Sequence, residues 1–266
     1  MQHARTLASA GPRKVRADAL VVAQGLADSR TRAQALIALG AVIETATGRV
    51  VDKAGQPLPS HCALRLRHQP LPYVGRGAFK LAAALDAFAI DPRGRRCLDV
   101  GASTGGFTDL LLRRGARQVV ALDVGHNQLD YRLRQDPRVC VRERCHVVHA
   151  PDEVVEAPVS LVVADVSFIS LTRVLPALPR WLEPGALGIW LVKPQFEVGP
   201  NRVERGGIVR CPAARADALE QVSAAARQAG FALLGHCRSP IEGAKGNQET
   251  LLVGRFGRPS AEPEAP

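Results

Sequence analysis

Residues 96–114 constrain the fold more than any other stretch. Arg96–Val100 (RCLDV) reads as a short buried strand and Gly105–Arg114 (GGFTDLLLRR) as a helix. The turn between them is rich in glycine (Gly101, Gly105, Gly106) and small hydroxyl residues (Ser103, Thr104). Backbone that must approach a ligand closely needs such residues, because a β-carbon would collide and positive φ is accessible to glycine. Strand, glycine loop and helix in this order form the unit with which open α/β sheets bind an adenosine-bearing ligand. A second strand end, Val119-Val120-Ala121-Leu122-Asp123, follows, and an acid there is placed to accept both hydroxyls of a ribose.

Ala102, Ser103 and Thr104 separate Gly101 from Gly105, so the loop departs from G-x-G-x-x-G. A dinucleotide's pyrophosphate wants the third glycine and free helix N–H groups. The better fit is S-adenosylmethionine (SAM), whose amino-acid end asks for a carboxylate and no phosphate cradle. Asp99, Gly101, Ser103 and Gly105 are the candidates for that end, and Asp123 for the ribose. Ser103 and Thr104 are equally suited to hydrogen bonds within the turn.

At 266 residues, 46% hydrophobic and 23% charged, the chain has the composition of a soluble globular protein of one large or two modest domains. No apolar run approaches the roughly 20 residues of a membrane span, and the N-terminus lacks an apolar signal core. The expectation is a cytoplasmic monomer without a membrane partner. The group Cys140-x4-Cys145-His146-x2-His149 invites a zinc reading. Its spacing fits no structural site, and strand alternation puts Cys140 and Cys145 on opposite faces. Reduced thiols and no metal are expected.

The formal charge of +10 is unevenly spread: residues 1–79 hold 11 Lys and Arg against 4 Asp and Glu. A small segment so basic points to a polyanion. Arg16–Gly25 reads as a helix stopped by glycine, and Arg30–Leu39 as a second, with Asp28 or Ser29 as its N-cap and Gly40 as its stop. Short strands are expected at Ala41–Thr45, Arg49–Lys53 and Ala63–Arg67. The string GLADSRTRAQALIALG (25–40) resembles the small α+β RNA-binding domain first recognised in a ribosomal small-subunit protein and in pseudouridine synthases. That resemblance assigns residues 14–72 to RNA binding, with Arg16, Arg30 and Arg32 as phosphate contacts that position RNA rather than read it. The turn after Val42 is longer than the family's and lacks its Asn-Gly.

The chain uses 30 Arg and only 5 Lys. Lysine can lose its proton in a protein and arginine cannot, so the surviving lysines draw notice. Lys193 ends the apolar strand Ala186–Val192 and is held extended by Pro194. Asp165 ends another, Val159–Ala164. A single strand-end acid can be no more than a helix N-cap. Asp99, Asp123, Asp165 and Lys193 together mark the carboxyl edge where open sheets bind ligands. Lys80 lies in a glycine-flexed lead-in to a helix, and Asn247–Thr250 opens a final strand, Leu251–Phe256.

The segments YVGRGAFKL (73–81), DVGASTGGFT (99–108), ALDVGHNQ (121–128), DVSFISL (165–171), KPQFEVG (193–199) and SPIEGAKGNQE (239–249) resemble, in order, the TlyA family. These are ribosomal-RNA 2′-O-methyltransferases, often labelled hemolysins, with a catalytic domain similar to the FtsJ-like methyltransferases. The resemblance implies a Rossmann-like SAM-dependent methyltransferase fold with a mostly parallel seven-stranded sheet over 73–257, preceded by the small RNA-binding domain and followed by a disordered tail, 258–266. It implies a catalytic tetrad of Lys80, Asp165, Lys193 and Glu249, with Asp165 also toward the cofactor and His146 near the adenine. Lys193 is then the general base, helped toward neutrality by burial and by the charge of Lys80. Asp165 orients the lysines, and Glu249 positions Lys80 or the hydroxyl. The expected substrate is a cytidine of 16S or 23S ribosomal RNA, or of both. Gly75 and Ala78 stand where the family has Ser and Gly, and Cys145-His146 where it tends to have Thr-Asn. The competing readings are a non-catalytic ribosome-binding factor and a membrane-active hemolysin.

Overall fold

The structure is a computed structural model that describes residues 14–38, 40–67, 73–243 and 246–257; the tail expected to be disordered lies outside them. Residues 1–71 and 72–266 form two compact units.

In the first unit, β1 (Lys14–Arg16) leads into α1 (Ala17–Ala23), followed by α2 (Arg30–Ala38), β2 (Val42–Glu44), β3 (Pro57–Pro59) and β4 (Leu64–Leu66). α1 ends because Gly25 takes φ +71, letting Leu26 N donate to Val21 O and Gly25 N to Val22 O, which satisfies carbonyls the helix leaves open. Gly40 closes α2 in the same way, through Gly40 N to Ile37 O and Ala41 N to Leu36 O. Of the two expected N-caps, Ser29 is the one used: its Oγ accepts from Arg32 N at 3.2 Å. The strands make two antiparallel pairs, β1 with β3 and β2 with β4. The strand expected at Arg49–Lys53 is reduced to one bridge, Ile43 to Val50. β3 forms instead from Pro57–Pro59, where neither spacing nor propensity favoured a strand. Ala17, Leu20, Val21, Ala33, Leu36, Ile37, Val42 and Leu64 close the core.

The second unit contains α3 (Gly77–Ala87), β5 (Arg96–Val100), α4 (Gly106–Arg113), β6 (Gln118–Leu122), α5 (Tyr131–Arg134), β7 (Val139–Arg142) and β8 (Val159–Ala164). After these come α6 (Leu171–Val174), β9 (Leu182–Val192), α7 (Pro194–Glu197), α8 (Pro212–Gln228), β10 (Phe231–Arg238) and β11 (Thr250–Phe256). One seven-stranded sheet runs β10-β11-β9-β8-β5-β6-β7. Strands β7, β6, β5, β8 and β9 are parallel; β11 runs against them, paired antiparallel with both β9 and β10, so that β10 points the same way as the five. β5 is buried along its whole length, as expected of a central strand covered on both faces. Apolar clusters lie on the two faces, one around Trp190, Trp181 and Val162, the other around Leu81, Leu111 and Ile189. The chain leaves β5 toward β6 and β7, then returns to β8 on its other side. Strand order thus reverses at β5 and β8, and the crevice at their carboxyl ends is where such sheets bind ligands.

Cys140 and Cys145 both pack against the same core cluster rather than on opposite faces. β7 stops at Arg142, so strand alternation does not reach Cys145. Among the described residues no group of three or more His, Cys, Asp or Glu is placed to hold a metal.

Candidate active site

None of the strand-end acids is a helix cap. α4 is capped at Gly105, α5 at Asp130 and α6 at Ser170. Asp99, Asp123 and Asp165 are therefore free for other work at the sheet edge.

Register brings the fourth acid to this edge. β11 runs antiparallel to β9 with Thr250 opposite Val192, so Glu249, just before β11, lies on the same side of the sheet as Lys193, just after β9. Asn247 pins the approach, accepting from Val209 N at 2.9 Å and donating to Gly207 O at 2.7 Å. Glu249 is 1% exposed and receives Lys80 Nζ from α3 at 2.5 Å. Lys193 Nζ lies 2.5 Å from Asp165 Oδ1 and donates to Ser167 Oγ at 3.0 Å. The tetrad is thus two ion pairs, Lys80 with Glu249 and Lys193 with Asp165. Glu249 is the partner of Lys80, and Asp165 of Lys193 alone.

α3 is set against the glycine loop by close packing: a β-carbon on Gly106 would stand 3.3 Å from Ala78 N, and one on Gly75 would stand 3.0 Å from Thr104 Oγ1. Val74 N donates to Asp109 Oδ2 of α4 at 2.9 Å. Two hollows with lining residues in common result. A cleft of about 530 Å³ is lined by Gly101, Ser103, Asp123, His146, Val147 and Asp165, among others. A smaller cavity of about 230 Å³ reaches Lys193 and the α3 lead-in, and shares Gly101, Ser103, Asp165 and Ser167 with the cleft.

The cleft suits SAM. Gly101 has φ +82, and a β-carbon there would meet Asp165 O at 2.7 Å, so only glycine lets the β5 and β8 loops approach. Asp123 accepts from Ser103 N (2.8 Å) through Oδ2 and from Gly125 N (2.6 Å) through Oδ1; each oxygen keeps a lone pair for a ribose hydroxyl. Asp99 lies beneath the loop, fully buried, rather than on either cavity wall. Its Oδ2 accepts from Thr108 Oγ1 at 2.7 Å, and its Oδ1 has no partner among the described residues. Burial pushes its carboxyl up to about 7, opposed by the Thr108 bond. An orphaned buried oxygen below a cradle is what a cofactor ammonium would complete. His146 is on the cleft wall, stacked 4.9 Å from His149.

Three contributors escaped the sequence reading. Ser167 sits inside the DVSFISL segment, but its bond to Lys193 is not local. Phe168, 92% exposed with φ +65, stands at the cleft rim, 5.4 Å from Phe196. Glu143 holds the loop after β6, accepting from Asn127 N and Gln128 N and pairing with His126 and Arg134. These bonds, led by that from Asn127, draw its carboxyl down to about 2.

In the first unit, Arg16 and Arg30 converge on one carboxylate, Asp18. Arg32 is exposed and outside that group.

Residues 73–256 match the FtsJ-like methyltransferase model. The chain belongs to the TlyA family. It is 46% identical over 241 residues to the 16S/23S rRNA (cytidine-2'-O)-methyltransferase TlyA of Mycobacterium tuberculosis, covering 90% of this chain and 89% of the relative. Hemolysin A of Brachyspira hyodysenteriae is 39% identical, with 89% and 98% covered. A solved structure from Streptococcus thermophilus, likewise labelled a hemolysin, superposes with a TM-score of 0.70 at 41% identity, covering 94% of this chain and 90% of that one. The TlyA sheet is therefore a methyltransferase sheet, with the two ion pairs at its carboxyl edge.

Proposed function

We propose that this chain is a SAM-dependent ribosomal-RNA 2′-O-methyltransferase that acts on cytidine, its first unit recruiting structured RNA. The observation that carries the reading is the pairing of Lys193 with Asp165 and Lys80 with Glu249 beside a cleft fitted to SAM. The naming of TlyA relatives as rRNA (cytidine-2'-O)-methyltransferases supports it.

Asp123 would hold the ribose, His146 and Val147 the adenine side, and the Gly101–Gly105 loop with Asp99 the methionine end. Bound there, SAM supplies a sulfonium methyl, an electrophile that needs no metal to activate it. The nucleophile is the harder half: a ribose hydroxyl is weak until its proton is drawn away. Lys193 Nζ lines the smaller cavity, ion-paired with Asp165 and donating to Ser167. The hydroxyl would enter this cavity, and as an amine Lys193 would take its proton there. Lys80, anchored by Glu249, stands at the same sheet edge as a paired charge. Phe168 offers an exposed ring to a base taken out of its stack.

The test is methyl transfer from radiolabelled SAM to isolated small and large ribosomal subunits lacking the modification, with Lys193→Ala alongside. Label in a ribose that resists alkaline cleavage, absent with the variant, is expected, and the labelled subunit names the substrate. SAM binding without label in either subunit would overturn the reading in favour of a binding factor. Among the described residues no helix is long and apolar enough to cross a membrane.

A further inference from the structure

We propose that Asp18 is the positioning residue of a phosphate clamp on the first unit, holding Arg16 and Arg30 as a fixed pair of guanidinium groups for RNA phosphates. This rests on the reading that the unit binds RNA.

Asp18 is the second residue of α1 and is 0% exposed. Arg16 grips it with both Nε (3.1 Å, to Oδ1) and Nη2 (2.9 Å, to Oδ2). Arg30 Nη2 reaches Oδ2 at 3.1 Å from the first residue of α2, and Gln34 Nε2, one turn on, reaches the same oxygen at 3.0 Å. The hydrogen bonds from Arg16, then from Gln34 and Arg30, hold the carboxyl well below the usual range despite its burial, so it stays charged throughout the working pH range.

The acid is inside and the bases are outside: the arginine side chains are 54% and 58% exposed. A guanidinium has five N–H donors in a rigid fork. Arg16 spends one edge of its fork on Asp18 and Arg30 a single nitrogen, so both keep donors for phosphate oxygens. Because the carboxylate already fixes both side chains, less rotamer freedom is lost when they grip RNA. Arg32, outside this arrangement, contributes charge alone.

The competing role for Asp18 is to neutralise the arginines, and the two roles predict opposite signs. Asp18→Asn removes a negative charge beside the phosphates at nearly constant volume. By charge alone, RNA binding tightens; by positioning, it weakens. The experiment measures binding of the full chain to a labelled, structured rRNA fragment from about 50 to 200 mM salt, with SAM affinity as a check on the second unit. The clamp predicts affinity lower by about three- to tenfold and a slope of log K against log salt shallower by about 1, the change expected when one fewer phosphate is neutralised. Tighter or unchanged binding overturns it. Should Asp18→Asn fail to fold, Arg16→Lys/Arg30→Lys keeps every charge and removes the forks; the clamp predicts weaker binding, and unchanged binding overturns it. Arg16→Ala/Arg30→Ala separates the two levels. If that variant binds as the parent does, the RNA reading of the unit falls and the clamp with it. If it weakens binding while Asp18→Asn does not, the clamp alone falls.

Discussion

Asp99 and Lys193 each carry a prediction of their own. The Asp99 carboxyl is pushed up to about 7 by burial, above its value in an unfolded chain. The folded state therefore holds a proton that the unfolded state gives up near pH 4. Asp99's contribution to stability is greatest below pH 4 and is lost as pH rises toward 7. Asp99→Asn keeps the acceptor for Thr108 and cannot ionise, so in thermal melts without cofactor it should gain on the parent between pH 4 and 7. Cofactor binding carries the opposite sign. Pairing the orphaned Oδ1 with an ammonium requires the carboxylate, so calorimetry should show SAM affinity rising with pH by up to about tenfold per unit below 7 and levelling above it. A flat profile in the parent protein would remove Asp99 from the cofactor site. Lys193→Arg keeps the charge beside Asp165 but cannot act as a base. We expect methyl transfer reduced by about 10²-fold or more with SAM affinity held within a few-fold. Full transfer would show that Lys193 only positions the hydroxyl.

At the scale of elements, the decisive packing is that of the loop after β5 on the loop after β8. Gly101→Ala places a methyl against Asp165 O, a backbone atom that cannot swing aside, at a φ that disfavours any side chain. Strain of this kind costs on the order of 1–3 kcal/mol. Because Asp165 carries Lys193, the same methyl should weaken SAM binding and slow methyl transfer together, read by calorimetry and by turnover of the one variant. Loss of stability with both functions intact would mean the loops need not touch. This loop was legible from the glycine spacing, as were β5, β6, β8 and the end of β9, because buried parallel strands leave short apolar runs bounded by small or charged residues. β1 and β3 were not: strands of three residues, β3 with proline at both ends, carry no period to read, and only the fold's closure pairs Lys14 with Pro59. The resemblance grouped Lys80, Asp165, Lys193 and Glu249, but not in pairs. Lys80 and Glu249 are 169 residues apart, and which acid meets which lysine follows from β11 lying antiparallel beside β9. The role of Ser167 and the convergence on Asp18 were hidden for the same reason, since each depends on separate elements meeting in the fold.

Over the whole molecule, charge and chemistry are divided between the two units. Most of the excess positive charge falls within residues 1–79, while the two ion pairs and the cleft at the sheet edge belong to the second unit. Capture of the substrate and transfer of the methyl should therefore respond to different perturbations. Each phosphate neutralised contributes a salt slope of about −0.9, so two or three contacts weaken RNA binding by about ten- to fortyfold between 50 and 200 mM salt. Steady-state methylation of ribosomal subunits should show KM for the subunit rising by that factor, with kcat and the affinity for SAM nearly constant. Arg16→Ala/Arg30→Ala should raise KM at low salt and flatten its salt dependence, leaving kcat at saturating substrate unchanged. Lys193→Ala should do the reverse, lowering kcat and leaving the salt dependence of KM as it was. A double variant should then show the two effects multiplied, since residues that act on separate steps without shared partners are additive in free energy. If instead kcat falls with the arginine pair, the first unit does more than recruit: its grip on RNA would be helping to bring the target ribose to Lys193, and the division of labour drawn from the charge distribution would fail.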